Sequence, residues 1–231
     1  MHSTTPFIVA LLPVIVKAAS ESTTLSAEAL AHLEFELTEI MRLDQIHRTP
    51  VSWGTTDPEE LERLEALEDD AHLAEWARRN REGICLPEAQ EKELMRRQGV
   101  LDAANLVRLV TLMETYGYPN PERFGIEAPD PLPILIHATP EGYDAVAAQL
   151  LEEARAGHFR ARSYAALFDR KRQHRGEMQL YGTCCMMDRA TGKVLPPEIV
   201  SLEATNRARA EIGLDPLTDY TIQKVAADSG K

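Results

Sequence analysis

Two amphipathic stripes in this chain run past their apolar residues onto polar ones, and that limits how the chain can fold. The first is Leu30, Leu33, Leu37, Ile40 and Met41, close to the i, i+3, i+4, i+7 spacing of one helix face. It continues onto Asp44 and Arg48, with Gln45 beside them. The second is Leu109, Leu112, Met113 and Tyr116, preceded on the same face by Asp102 and Asn105. A buried polar group left without a partner costs about 1–3 kcal/mol, so these side chains need hydrogen-bonding groups from other segments. Clustered together, they would line a polar pocket. Two competing readings stand beside that one. Asp102 can cap its own helix, and Asp44–Arg48 can be an exposed i, i+4 ion pair worth about 0.3–0.5 kcal/mol.

The punctuation of the chain is helical almost throughout. Ser26 is placed to cap a helix that runs to about His47, where Thr49-Pro50 ends it because the residue before proline resists helical geometry. Asp57-Pro58-Glu59-Glu60 supplies an N-cap, a first-position proline and acidic residues for a helix reaching about Arg81, stopped by Gly83. Leu86-Pro87-Glu88 opens a charged helix ending near Gly99, and Asp102–Tyr116 forms the next. Gly117-Tyr118-Pro119-Asn120-Pro121 is a turn cluster. Ile134–His137 is too short for periodicity to separate strand from helix, and the prolines ahead of it favour a helical turn. Helices follow over Glu141–Ala156, Ala161–Gln173 and Leu202–Ile212. Met178–Met187 and Lys193–Leu195, around the loop Asp188–Gly192, read as an antiparallel hairpin. The expectation is a mainly α fold: one helical domain over residues 26–224, an acidic helical insertion at about 55–99, and a small β-hairpin near the C-terminal third.

A chain of 231 residues is long enough for one domain with a substantial core. Its net charge of −12, much of it in Asp57–Asp70, argues against a nucleic-acid-binding face and reads as a solvated helix surface. Phe7–Val16 has the length of a signal-peptide apolar core and is too short to span a membrane, but Met1–Pro6 carries no Lys or Arg. Export and a buried N-terminal segment of a cytoplasmic protein are therefore both open for residues 1–25. Cys85, Cys184 and Cys185 fit no zinc spacing, and free buried thiols are favoured over a disulfide. No phosphate loop, G-x-S-x-G, H-E-x-x-H or dinucleotide fingerprint is present, so no metal or cofactor is expected.

The strongest local signals lie late in the chain. Tyr164-Ala165-Ala166-Leu167-Phe168-Asp169-Arg170 closes a helix on polar side chains, and Gln179, Tyr181 and Thr183 share one face of the expected strand by period two. Opposed, the two would form a hydrogen-bonding wall; the plainer alternative is that they tie hairpin to helix. His137, at the end of an apolar run, is a candidate proton-transfer residue, though a lone histidine is more often a hydrogen-bonded core residue.

Y-A-A-L-F-D-R, then G-E-M-Q-L-Y-G-T, P-P-E-I and R-A-R-A-E-I-G-L-D-P-L-T-D-Y, in that order, resemble an uncharacterised bacterial family, domain of unknown function 6624. D-Q-I-H-R, D-A-A-N, Y-G-Y-P and I-H-A add to the resemblance, which spans about Leu30–Tyr220 without the acidic Asp57–Gly99 stretch. It implies a site drawn from Gln45, Arg48, Asp102, Asn105, His137, Tyr164, Asp169, Arg170, Gln179, Tyr181 and Thr183. Thr139-Pro140 after His137-Ala138 and Cys184 after the Y-G-T depart from the family pattern. The functional expectation is a pocket for a small anionic ligand, with metal-independent hydrolase or transferase chemistry. Arg48 and Arg170 would hold the anion. His137 would move the proton, with Asp102 or Asp169 orienting its ring. Gln45, Asn105, Tyr164, Gln179, Tyr181 and Thr183 would complete the binding wall. The alternative is a non-enzymatic module whose polar cluster fixes the fold.

Overall fold

Ser26 opens the first helix as its spacing requires, the hydroxyl accepting from the Ala29 amide. The structure, a computed structural model, describes residues 25–187 and 194–218. The apolar stretch at 7–16 and the loop at 188–192 lie outside the described residues. Helix α1, Ala27–Gln45, buries Leu33, Leu37, Ile40 and Asp44, so the stripe does carry its polar end into the interior. A short α2, Arg48–Trp53, follows and passes through Pro50. Proline is tolerated there because it sits in the first turn, where its missing N–H has no intrahelical partner.

The acidic segment is two helices rather than one, α3 (Pro58–Glu65) and α4 (Asp69–Glu82). Asp57 caps α3, and Gly83 ends α4 in the left-handed conformation. Arg79 fastens the segment, donating to the Trp53 carbonyl at 2.6 Å and pairing with Glu75 and Glu60. Next comes α5, Glu88–Tyr116, one continuous 29-residue helix that runs straight through Gly99. Glycine weakens a helix by roughly 1 kcal/mol without obliging it to stop, and the flanking turns override it.

The remaining helices are α6 (Pro121–Phe124), α7 (Leu132–His137), α8 (Pro140–Arg155), α9 (Ala161–His174) and α10 (Leu202–Glu211). The Ile134–His137 run is thus helical. Helix α1 packs along α5, α7 sits against both, and α8 and α9 pair with each other. Their apolar faces meet in a core that includes Leu33, Leu37, Leu109, Met113, Leu135, Tyr143, Leu150, Tyr164 and Leu167, joined by Ala208 of α10 and the following Ile212. Among the described residues no helix is long and apolar enough to cross a membrane.

The expected β-hairpin is overturned, and the fold is mainly helical without it. Among the described residues only Met186–Met187 lies opposite Val194–Leu195, a two-residue antiparallel contact too short to be a hairpin. The stretch from Met178 to Cys185, read from its alternation as a strand, is an irregular loop. The Leu180, Tyr181 and Thr183 amides go to a side chain of α9 instead of a neighbouring strand, and Gln179 makes a parallel bridge to Ile199.

Gly99 gives a direct test of the continuous α5. A Cβ built on it meets nothing within 4 Å. Gly99→Ala should therefore stabilise the chain by about 0.5–1 kcal/mol, read as a higher denaturant midpoint at unchanged slope. A lowered midpoint would mean that α5 breaks at this residue.

Candidate functional site

The two polar stripes meet. Helix α1 ends by turning Asp44 inward, fully buried, while the next turn brings Arg48 across to α5. Arg48 grips Asp102 with both ends of its guanidinium fork, Nη1 to Oδ1 at 2.9 Å and Nη2 to Oδ2 at 2.7 Å. Its Nη1 also donates to the Asp44 carbonyl at 2.7 Å and to Asp44 Oδ1 at 3.1 Å. Gln45 Nε2 donates to Asp44 Oδ2 at 2.6 Å. From α7, His137 sets Nδ1 2.8 Å from Asp44 Oδ1.

Two amides complete this first network. Gln98, fully buried, donates to Asp102 Oδ1 and the Leu43 carbonyl and accepts from the His47 amide. Asn105 donates to the Ile40 carbonyl at 3.0 Å and leaves its buried Oδ1 without a partner. Asp102 is therefore no helix cap: it lies in the middle of α5. Nor is Asp44–Arg48 an exposed pair, since their side chains are 1% and 13% exposed.

A second network is built on α9. Asp169, fully buried, accepts from the Leu180 amide at 2.8 Å and the Tyr181 amide at 3.0 Å through Oδ1. Oδ2 accepts from the Thr183 amide at 2.9 Å and the Thr183 hydroxyl at 2.8 Å. Gly182 makes this possible. Its φ of 64° turns the chain back so that amides on both sides face one carboxylate, and an added Cβ would strike Leu217. Gln179 closes the loop on itself, accepting from the Cys184 amide at 2.9 Å and donating to the Cys184 carbonyl at 2.5 Å. Arg209 of α10 donates to the Tyr181 carbonyl at 2.8 Å. The Tyr164 and Tyr181 rings meet edge to face at 5.8 Å. Burial raises both phenols, so they are hydrogen-bonding walls and not bases.

Lys171 connects the two regions. Nearly inaccessible, it donates to the Ile136 carbonyl at 3.0 Å and the Ala138 carbonyl at 2.5 Å, gripping the chain on either side of His137. Desolvation lowers its ammonium to a pKa of about 8, and neighbouring Arg170 adds to the effect.

Gln45, Arg48, Asp102 and His137 thus share one network, with Asn105 bonded separately from α5 to α1; Asp169, Gln179, Tyr181 and Thr183 gather in the other, with Tyr164 packed against Tyr181. Two expected roles change. The residue that faces the His137 ring is Asp44, because Asp102 is occupied by Arg48 and Asp169 by the 180–183 loop. Arg48 is no free anion clamp, since its fork closes on Asp102. Arg170 is exposed and lines a hollow of about 220 Å³ between α7, α9 and Cys184. The cysteines are free, as favoured, but Cys85 and Cys185 are exposed where burial was expected. Burial raises the half-buried Cys184 thiol, against a nucleophilic role.

Two participants escaped the sequence reading. Gln98 lies one turn before Asp102 and joins the same stripe once α5 is seen to pass Gly99. Lys171 sits in the run Arg170–Arg172, which reads as a solvated helix end.

Replacing Asp169 by alanine strands three amides and a hydroxyl. Asp169→Ala should cost about 3 kcal/mol or more in unfolding free energy, against about 1 kcal/mol for Thr183→Val. Equal losses would deny that the carboxylate organises the loop. Unfolded Lys171 keeps its proton to about 10.5 and the folded residue releases it near 8, so in that window the folded state binds fewer protons and rising pH favours it. The stability of wild type relative to Lys171→Met should therefore rise as pH climbs from 8 toward 10; a relative stability that stays constant contradicts the buried ammonium.

No curated protein and no solved structure matches the chain. One family model does, over residues 72–229, beginning inside the acidic segment and leaving α1 and α2 outside the match. That match covers more than half of the sequence, and the chain belongs to the family of unknown function DUF6624.

Proposed function

We propose that His137 is the proton-transferring residue of a small-ligand site, and that the chain carries hydrolase or transferase chemistry run by side chains. The observation that carries this reading is the 2.8 Å contact between His137 Nδ1 and Asp44 Oδ1. A buried carboxylate at that distance selects the tautomer with the proton on Nδ1, leaving the Nε2 lone pair to accept one. The ring is only partly covered, its side chain 26% exposed, so a ligand can reach it while Asp44 stays out of water. The orientation is held from below as well. Asp44 is fixed by Arg48 and Gln45, and Lys171 fixes the backbone flanking His137. Such an imidazole can take a proton from water or an alcohol as it attacks an acyl or phosphoryl centre, and return it to the leaving group. General base catalysis of this kind contributes roughly 10²–10⁴ in rate.

A second reading is favoured by the other network. Asp169 spends its two oxygens on four donors, and Gln179 spends both ends of its amide on Cys184. Groups so fully occupied serve the fold, as in a non-enzymatic module. The readings diverge at His137. A panel of chromogenic esters, phosphoesters and amides should reveal a hydrolysed class whose turnover falls about 10²-fold or more in His137→Gln, with the melting temperature nearly unchanged. Wild-type protein that turns over nothing in the panel, or a His137→Gln variant with full activity, rejects the enzymatic reading in favour of the structural one.

A further inference from the structure

The hollow beside Arg170 shares no lining residue with the Asp44–Asp102 network, and its use does not depend on proton transfer at His137. The space arises from residue size. Ser163, Ala166, Leu167 and Arg170 succeed one another at i, i+3, i+4 and i+7 down one face of α9, and Leu132 and Ile136 stand at i, i+4 on α7. Two helices packed with larger residues would close this seam. Ser163 and Ala166 are too small to reach across, and a space of about 220 Å³ stays open. Its walls are largely aliphatic. The exposed Arg170 lies at one end of the row on α9 and Ser163 at the other. On the loop side Cys184 forms part of the wall, its Sγ donating to the Ala166 carbonyl at 3.6 Å.

From this we infer that the hollow is a binding site for a compact monocarboxylate with an apolar body, about the size of one aromatic ring. Size comes first. A cavity of about 150 Å³ holds benzene, so about 220 Å³ has room for a ring with a small charged group. Charge comes second. The Arg170 guanidinium, like that of Arg162 on the same helix, has no carboxylate partner among the described residues, whereas Arg172 of α9 and the following Arg175 are paired with Glu177 and Asp144. Its flat fork matches a carboxylate, and a chain with an overall charge of −12 leaves this cation as the local attraction for an anion. Chemistry comes third. Burial keeps the Cys184 thiol protonated, so it packs against the ligand body and does not attack it.

The test is titration of the full chain with benzoate, followed by amide NMR, with benzyl alcohol as the uncharged control. Benzoate should shift resonances of Ile136, Ala166, Leu167 and Arg170 and bind about tenfold more tightly than benzyl alcohol. Arg170→Met, a change at an exposed position, should erase that tenfold preference. Ala166→Leu, which fills the seam, should remove binding of both compounds, while His137→Gln should leave both affinities as they were. Shifts that map elsewhere, no binding up to about 10 mM, or equal affinity for benzoate in Arg170→Met would overturn the proposal.

Discussion

The Asp44 carboxylate is the point on which the rest of the structure turns. It is buried at the end of α1 and answers to three segments at once: Gln45 and Arg48 near it in sequence, and His137 from α7. Through Arg48 it is tied to Asp102 and so to the middle of α5. Burying charge is costly unless each ion finds opposite charge and enough hydrogen bonds, and a carboxylate stripped of its partner there would be worth several kcal/mol of instability. The packing of α1, α2, α5 and α7 is consequently specified by polar geometry as much as by the leucines of the core. Apolar contacts between helices tolerate sliding; a bidentate arginine does not.

The Asp169 network obeys the same logic in a different form. There the partners are amides of an irregular loop, and the carboxylate does for that loop what a neighbouring strand would otherwise do. Tyr181, the Gly182 turn and Thr183 are thereby held against α9, and Arg209 adds a brace from α10. One carboxylate joins helices and the other fixes a loop. Lys171 links the two regions by binding backbone next to His137.

How far the sequence could reveal this depended on what kind of signal each residue carried. Helix existence was legible from caps, prolines and stripes, and the polar continuation of two stripes pointed to Arg48, Asp102 and Asn105. Gly99 misled, because propensity is local while the fate of a mid-helix glycine is decided by the turns packed on either side; cutting α5 there hid Gln98. The alternation at Gln179, Tyr181 and Thr183 suggested a strand. A carboxylate collecting successive amides imitates that period without any ladder. The pairings Arg48–Asp102, Asp44–His137 and Lys171–Ile136 were out of reach, since separations of 54, 93 and 35 residues leave no periodic trace. The same holds for the hollow. It exists because Ser163 and Ala166 are small, a property that matters only once α7 is known to lie opposite.

The central claim is that Arg48 and Asp102 act together as the tie between the N-terminal helices and α5. A double-mutant cycle on Arg48→Met and Asp102→Leu, read by denaturant unfolding, measures that tie directly. Each single change should be strongly destabilising because it leaves a charge without its partner, and the double variant should fall short of their sum by about 2 kcal/mol or more. Losses that simply add, within about 0.5 kcal/mol, would contradict the account.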